Sequence, residues 1–287
     1  MSTALEAEGR SRLTAVGIAQ PSGAPSASDS ALTRTEWALR IGASACFIGH
    51  GAFGVLTKEA WLPFFALVGI GRDLAYALMP VVGTVDIAAG VLVLVSPRPI
   101  VLAYMVVWGL WTALLRPLAG DSFFQALERA GNYGVPLALG FLFGVGRSRG
   151  WFAPYVDRSS LIDRVLIGRV LLWTTATLLF AHGALQAITR EPSFGVLYGA
   201  VGAAPEVVPM IGWLEMALAV AVVLVPTPAL LIAVAVWKLA TEALFPMSGA
   251  PIWEFVERGG SYAAPFALVL LHGRSPFTRI NLSRSDR

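Results

Sequence analysis

An all-α membrane protein, with eight transmembrane helices arranged as two tandem parallel four-helix bundles, is the fold predicted by three features of this 287-residue sequence. Hydrophobic residues make up 56% of the chain, charged residues only 14%, and the mean hydropathy is +0.69, far from an ordinary soluble composition. The apolar residues fall in blocks that match the ~20 helical residues needed to cross a hydrocarbon core about 30 Å thick. They lack the period-two alternation of barrel strands, so helices are the spanning element. The chain also repeats itself. Glu128, Arg129, Gly131, Tyr133 and Pro136 return as Glu257, Arg258, Gly260, Tyr262 and Pro265. The offset of about 129 residues holds without a gap from Gly83/Gly212 to Gly144/Gly273, with roughly 23 of about 62 pairs identical, as a tandem duplication predicts.

Residues 1–35, rich in Ser, Ala, Gly and Pro and without an apolar core, predict a disordered cytoplasmic tail. Residues 36–146 form the first unit, with spans at 37–56, 75–96, 99–117 and 122–145. A basic cytoplasmic linker occupies 147–165. Residues 166–275 form the second unit, with spans at 166–187, 206–225, 228–246 and 251–273, and 276–287 is a basic cytoplasmic tail. Ser96-Pro97-Arg98-Pro99 and Val225-Pro226-Thr227-Pro228 end one helix and start the next, giving two tight antiparallel hairpins. The fourth span of each unit has a short apolar part and predicts a helix that enters amphipathically, with Glu-Arg near the interface. No apolar block is visibly interrupted.

Lys and Arg set the orientation. About 14 fall in segments on the side of the N-terminus and about six on the other, which predicts both termini in the cytoplasm. Four spans per unit then make the repeat parallel, its copies related by a pseudo-twofold axis along the membrane normal. The basic residues flank spans, so orientation explains them and a nucleic-acid partner is not expected. The single cysteine, Cys46, excludes an internal disulfide and a cysteine-ligated cluster within the chain, and it reads as a small packed residue.

Polar residues that both copies keep are the candidates for function. His50 matches His182, Asp86 matches Glu215, Trp108 matches Trp237 and Thr112 matches Thr241; Glu128, Arg129 and Tyr133 match Glu257, Arg258 and Tyr262. Asp86 and Glu215 lie about 11 residues from their hairpin turns, at mid-membrane, where an ionised Asp costs about 2.5–3.5 kcal/mol. The histidines fall in the outer half of their helices and Glu-Arg at the outer end of the fourth. One pocket per unit, opening to the non-cytoplasmic side, follows. Bland readings stand beside this: Glu-Arg as an interfacial ion pair, the tryptophans as bundle packing, the tyrosines as belt residues. Asp86 faces Gly109 at its own depth, so it is protonated, paired with another helix, or working. Glu215 faces Lys238, which also reaches Glu242 at i+4. The second copy therefore reads as a neutralised structural twin, and Arg116 against Phe245 is an asymmetry in the same direction.

Gly49-His50-Gly51, Val82-Gly83 with Asp86-Ile87, Trp108-Gly109 with Thr112-Ala113 and Arg116-Pro117, and Glu128-Arg129 with Gly131-Asn132-Tyr133 and Pro136 together resemble the DoxX-like family of small four-helix membrane proteins. The resemblance covers 37–146 well, with 166–275 as a diverged second unit lacking the Arg-Pro and Asn matches. It implies a bacterial or archaeal cytoplasmic membrane protein and, by analogy with some relatives, a small membrane subunit of a quinone-dependent oxidoreductase rather than a self-sufficient enzyme. His50 and Asp86 would then be catalytic, and Trp108, Thr112, Arg116, Glu128, Arg129, Asn132 and Tyr133 would bind substrate. Quinone is the cofactor this reading points to; no metal site is expected, and a haem shared by His50 and His182 is disfavoured. Partners would be the lipid bilayer and other membrane or soluble redox subunits. Two alternatives remain open: a proton- or ion-coupled transporter or channel, against which the uninterrupted spans count, and a non-catalytic scaffold docking a partner through its basic cytoplasmic segments.

Overall fold

The computed structural model describes residues 27–144, 150–155 and 161–272, with side chains over 30–144, 150–155 and 164–271. Most of the predicted N-terminal tail, much of the basic linker and the C-terminal tail lie outside the described residues. All regular structure among the described residues is helical. Helix α1 (Ala27–Val55) leads through a 3-10 turn (Glu59–Trp61) to the short α2 (Leu62–Leu67); α3 (Arg72–Val95), α4 (Pro99–Leu118), α5 (Phe123–Leu127) and α6 (Ala130–Leu142) follow. The second half runs α7 (Leu161–Ala187), α8 (Pro192–Gly199), α9 (Val207–Leu224), α10 (Pro228–Met247), α11 (Ile252–Glu257) and α12 (Gly259–His272). The chain from Ala31 onward packs as one compact unit.

Among the described residues, six helices are long and apolar enough to cross a membrane: α1, α3, α4, α7, α9 and α10. Their outward faces carry exposed Val81, Val85, Val107 and Leu114 in the first half and Trp213, Val220, Ile232 and Val236 in the second. An apolar exterior of this extent suits lipid and not water. Both predicted hairpin turns are present. Pro99 and Pro228 sit in the first turn of α4 and α10, where a missing N–H costs nothing, and the Thr227 hydroxyl caps α10 by accepting from the Leu230 N–H at 3.3 Å.

Two expectations are corrected. The first helix begins at Ala27, ten residues before its apolar block at Trp37, so residues 27–35 belong to helix and not to a disordered tail. The two fourth segments are not continuous spans. Each breaks where it carries Glu-Arg, Arg129 standing at φ −90°, ψ 14° and Arg258 at φ −88°, ψ 13°, leaving only α6 and α12 in the apolar layer. The glycines just beyond each break give the physical reason. A Cβ on Gly131 would strike the backbone of Gly260, and one on Gly260 the backbone of Gly131, so the two segments cross at glycine on glycine.

The repeat-related positions also meet in reciprocal pairs. Gly42 of α1 packs on Ala263 of α12, and their counterparts Thr174 of α7 and Gly134 of α6 pack on each other. Within the halves, Gly51 packs on Gly83 across α1 and α3, and Gly183 on Gly212 across α7 and α9. One apolar core runs through both halves. Leu39, Cys46, Met105 and Leu139 belong to it together with Leu171, Val222, Leu231 and Leu268.

Candidate functional site

The glycine crossing of α1 on α3 sets the site. With no side chains between them, the helices come close enough for His50 to reach Asp86. His50 Nδ1 lies 2.8 Å from Asp86 Oδ2, Trp108 Nε1–H donates to the same oxygen at 3.3 Å, and the Tyr104 hydroxyl donates to Oδ1 at 2.7 Å. Asp86 is fully buried, and three donors, one from α1 and two from α4, fix it. Of the three states left open by the sequence, pairing with another helix is the one observed. If Asp86 is ionised it can only accept, so Nδ1 would donate in that bond and leave Nε2 as the acceptor. The other side of the imidazole stacks on Trp61, with ring centroids 4.5 Å apart.

In front of this pair lies a cavity of ≈ 330 Å³. Aromatic and apolar residues, His50, Trp61, Phe64, Phe65, Trp108 and Trp111 with Leu78 and Val82, line it together with the polar and charged Thr112, Arg116, Glu128, Arg129, Asn132, Glu257, Arg258 and Ser261. Trp111 both lines the cavity and is 41% exposed on the apolar exterior, so the cavity has a wall that reaches the lipid-facing surface. Thr112 spends its hydroxyl on its own helix, at Trp108 O (3.0 Å) and Gly109 O (3.2 Å). Tyr133 does not line the cavity and packs against the main core, and Asp86 stands behind His50 and Trp108.

The second half holds the same dyad in a closed setting. His182 Nδ1 lies 2.7 Å from Glu215 Oε2, Gln186 Nε2–H donates to that oxygen at 2.9 Å, and Trp237 Nε1–H donates to Oε1 at 2.7 Å. Lys238 is 2.9 Å from Glu242, so the equal-depth pairing of Lys238 with Glu215 gives way to the i+4 pair. His182, Glu215, Lys238, Thr241 and Glu242 are all buried, and Thr241 bonds the Lys238 carbonyl at 3.1 Å. None of them lines the cavity. The expectation of one like pocket per unit is therefore corrected, and α8 supplies the physical reason. Phe194 meets His182 edge-on at 4.9 Å, and Phe194, Leu197 and Tyr198 pack with Leu185, Val208 and Leu244 into a filled cluster. In the first half α2 occupies the corresponding place after α1, but its Phe64 and Phe65 wall the cavity instead of filling it.

The Glu-Arg breaks knit the halves together. Arg258 donates to Glu128 at 2.7 Å, lies 3.5 Å from Glu242 and 3.9 Å from Glu254, and sits over the Phe245 ring at 3.9 Å. Lys58, after α1, reaches Glu254 of α11 at 2.7 Å. Arg129 is differently placed. It donates to the Gln125 carbonyl at 2.9 Å and amide oxygen at 3.2 Å and is 3.7 Å from Glu128. Tyr262 bonds the Phe255 carbonyl at 3.4 Å and stacks on that ring. These breaks also correct the sequence expectation that no segment is interrupted.

Tyr104, Trp61 and Gln186 were missed by a search for residues kept in both copies. Tyr104 stands opposite Ala233 and Gln186 opposite Gly54, while Trp61 belongs to α2, outside any apolar block. Comparison with protein-family models, characterised proteins and solved structures found no match to this chain.

Proposed function

We propose that this chain is a DoxX-like inner-membrane protein of two tandem four-helix units, acting as the membrane subunit of a quinone-linked redox system. What supports the tandem reading is reciprocity. Gly131 meets Gly260, and Gly42–Ala263 mirrors Thr174–Gly134, as copies related by a twofold axis along the membrane normal require. Eight hydrophobic segments and cytoplasmic termini remain part of the proposal, with α5–α6 and α11–α12 as broken fourth spans.

The observation that carries the function is the His50–Asp86 dyad at an aromatic-lined cavity reaching the lipid-facing surface. A quinol headgroup is a flat ring with two hydroxyl oxygens and a lipid tail. Trp61, Trp108 and Trp111 offer it flat apolar walls, and the exposed edge of Trp111 gives the tail an exit. His50 Nε2 accepts one hydroxyl proton, the second leaves to solvent, and Asp86 steadies the imidazolium that forms, the arrangement expected of a general base oriented by a carboxylate. The electrons leave to a partner redox subunit. Protein purified in mild detergent from quinone-containing membranes should carry extractable quinone near one per chain, and Trp61→Ala should lose most of it. Quinone-free wild-type protein from such membranes would end this reading.

A coupled-transport reading is favoured by a different observation. The fourth segments break at charged residues, and Glu128, Arg129 and Arg258 at those breaks face the cavity. Solute or proton flux in proteoliposomes, abolished by Asp86→Asn, would select it; absence of flux across a broad panel would discard it. A pure docking scaffold makes no use of the cavity and predicts that His50→Ala and Asp86→Asn leave function intact.

A further inference from the structure

The two copies of one arginine have unlike surroundings. Arg258 is closed in by Glu128, Glu242 and Glu254 and covered by Phe245. Its counterpart Arg129 lines the same cavity, but its ion pair among the described residues, with Glu128, is 3.7 Å long. Beside it on the cavity wall stands Arg116, in the place the second copy gives to Phe245. The Arg116 guanidinium donates no hydrogen bond among the described residues; its ion pair with Asp121 is 3.8 Å, and it lies over Phe64 at 5.0 Å. The tight pairs nearby, Arg258–Glu128, Lys58–Glu254 and Lys238–Glu242, span 2.7 to 2.9 Å, the length of charge-assisted hydrogen bonds. Two guanidinium groups lining the cavity therefore keep donors to spare, although Glu128 and Glu257 line the same cavity and Asp121 stands beside Arg116.

We infer that Arg116 and Arg129 form an anion-binding wall in the first-unit cavity, taking a carboxylate or phosphate group carried on an apolar body that lies against Phe64 and Trp111. The guanidinium fork suits both oxyanions, since each offers two coplanar acceptors. Glu128, held by Arg258 at 2.7 Å, is kept from neutralising the wall completely. A free organic anion and the headgroup of an anionic lipid share this chemistry. The inference does not rest on the quinol reading, because it needs neither His50 nor electron transfer.

The test titrates detergent-solubilised protein with benzoate and with inorganic phosphate, following thermal unfolding and tryptophan fluorescence. In parallel, native mass spectrometry follows retention of phosphatidylglycerol by protein from nanodiscs containing it. The variants are Arg116→Phe, which restores the residue of the second copy, Arg129→Gln, and the exposed control Arg72→Gln. Saturable binding of either free anion, weakened about tenfold or more in both cavity variants and unchanged in the control, supports the wall and names a free anion. Inert free anions with lipid retained by wild type and lost in both cavity variants supports it and names the lipid. No binding of any probe, or binding unchanged in either cavity variant, overturns it. Quinone carried by a protein that binds no anion would sink this inference and leave the quinol reading standing; anion binding by a quinone-free protein would do the reverse.

Discussion

Replacing Asp86 separates what its carboxylate does for the fold from what it does for His50. In Asp86→Ala, His50, Tyr104 and Trp108 lose their shared acceptor. A buried donor left unpaired costs about 1–3 kcal/mol, so the loss is about 3–9 kcal/mol unless water enters. Asp86→Asn behaves otherwise. With its carbonyl oxygen in the Oδ2 position it keeps His50 and Trp108, and its amide turns to Tyr104, whose hydroxyl rotates to accept. Three charge-assisted bonds become neutral ones, a loss of about 3–4 kcal/mol in all. Removing an ionised group from mid-membrane returns about 2.5–3.5 kcal/mol, so the two effects nearly cancel. Asp86→Ala gains the same return and so loses up to about 6 kcal/mol net, against at most about 1.5 kcal/mol for Asp86→Asn. At about 2–4 °C per kcal/mol, Asp86→Ala should lower Tm clearly more than Asp86→Asn, whose drop stays below about 6 °C. The imidazole nevertheless loses the anion that supports its protonated form, and general-base activity at His50 should fall by about 10²–10⁴. Thermal unfolding in detergent, followed by tryptophan fluorescence, reads the first pair of numbers. Equal and large losses in both variants would show that the charge itself holds the fold, and no loss in Asp86→Ala would refute the hydrogen-bond network.

Other consequences concern packing and the second half. Gly131→Leu or Gly260→Leu places a side chain into the partner backbone and should lower stability by about 1–3 kcal/mol or more, while Gly195→Leu, with open space around it, should stay within about ±0.5 kcal/mol in the same thermal assay. Glu242→Leu alone strands the buried Lys238 and should cost about 3–5 kcal/mol. Lys238→Met should cost less because Arg258 still faces Glu242 at 3.5 Å, and the double replacement should recover much of the loss from Glu242→Leu. A double variant as damaged as Glu242→Leu alone would show that the second half needs its charges for more than mutual neutralisation.

Much of the fold could be read from the chain because it depends on local hydrophobic length and on proline chemistry. The six long helices follow the apolar blocks, and Pro99 and Pro228 open α4 and α10 where a helix tolerates proline. The breaks at Arg129 and Arg258 were not legible, because glycine-on-glycine crossing depends on a partner about 129 residues away. Among site residues, His50, Trp108, Arg116 and Glu128 reach one cavity as their repetition or asymmetry suggested, and Asp86 stands directly behind it. Tyr104 and Trp61 escaped because only one copy has them, and duplication marks what both copies kept. The closure of the second half depends on α8, a helix too short to show as an apolar span, and on Phe194 and Tyr198 filling the space before His182.

The central claim is that one half holds a working dyad and the other a packed likeness of it. Equilibrium dialysis of a short-chain quinol, kept reduced, against wild-type, Asp86→Asn and Glu215→Gln protein in detergent tests this most directly. One saturable site is expected in the wild type, weakened by Asp86→Asn, which leaves His50 a poorer acceptor for the quinol hydroxyl, and unchanged by Glu215→Gln. Equal weakening by both substitutions, or by Glu215→Gln alone, would contradict it.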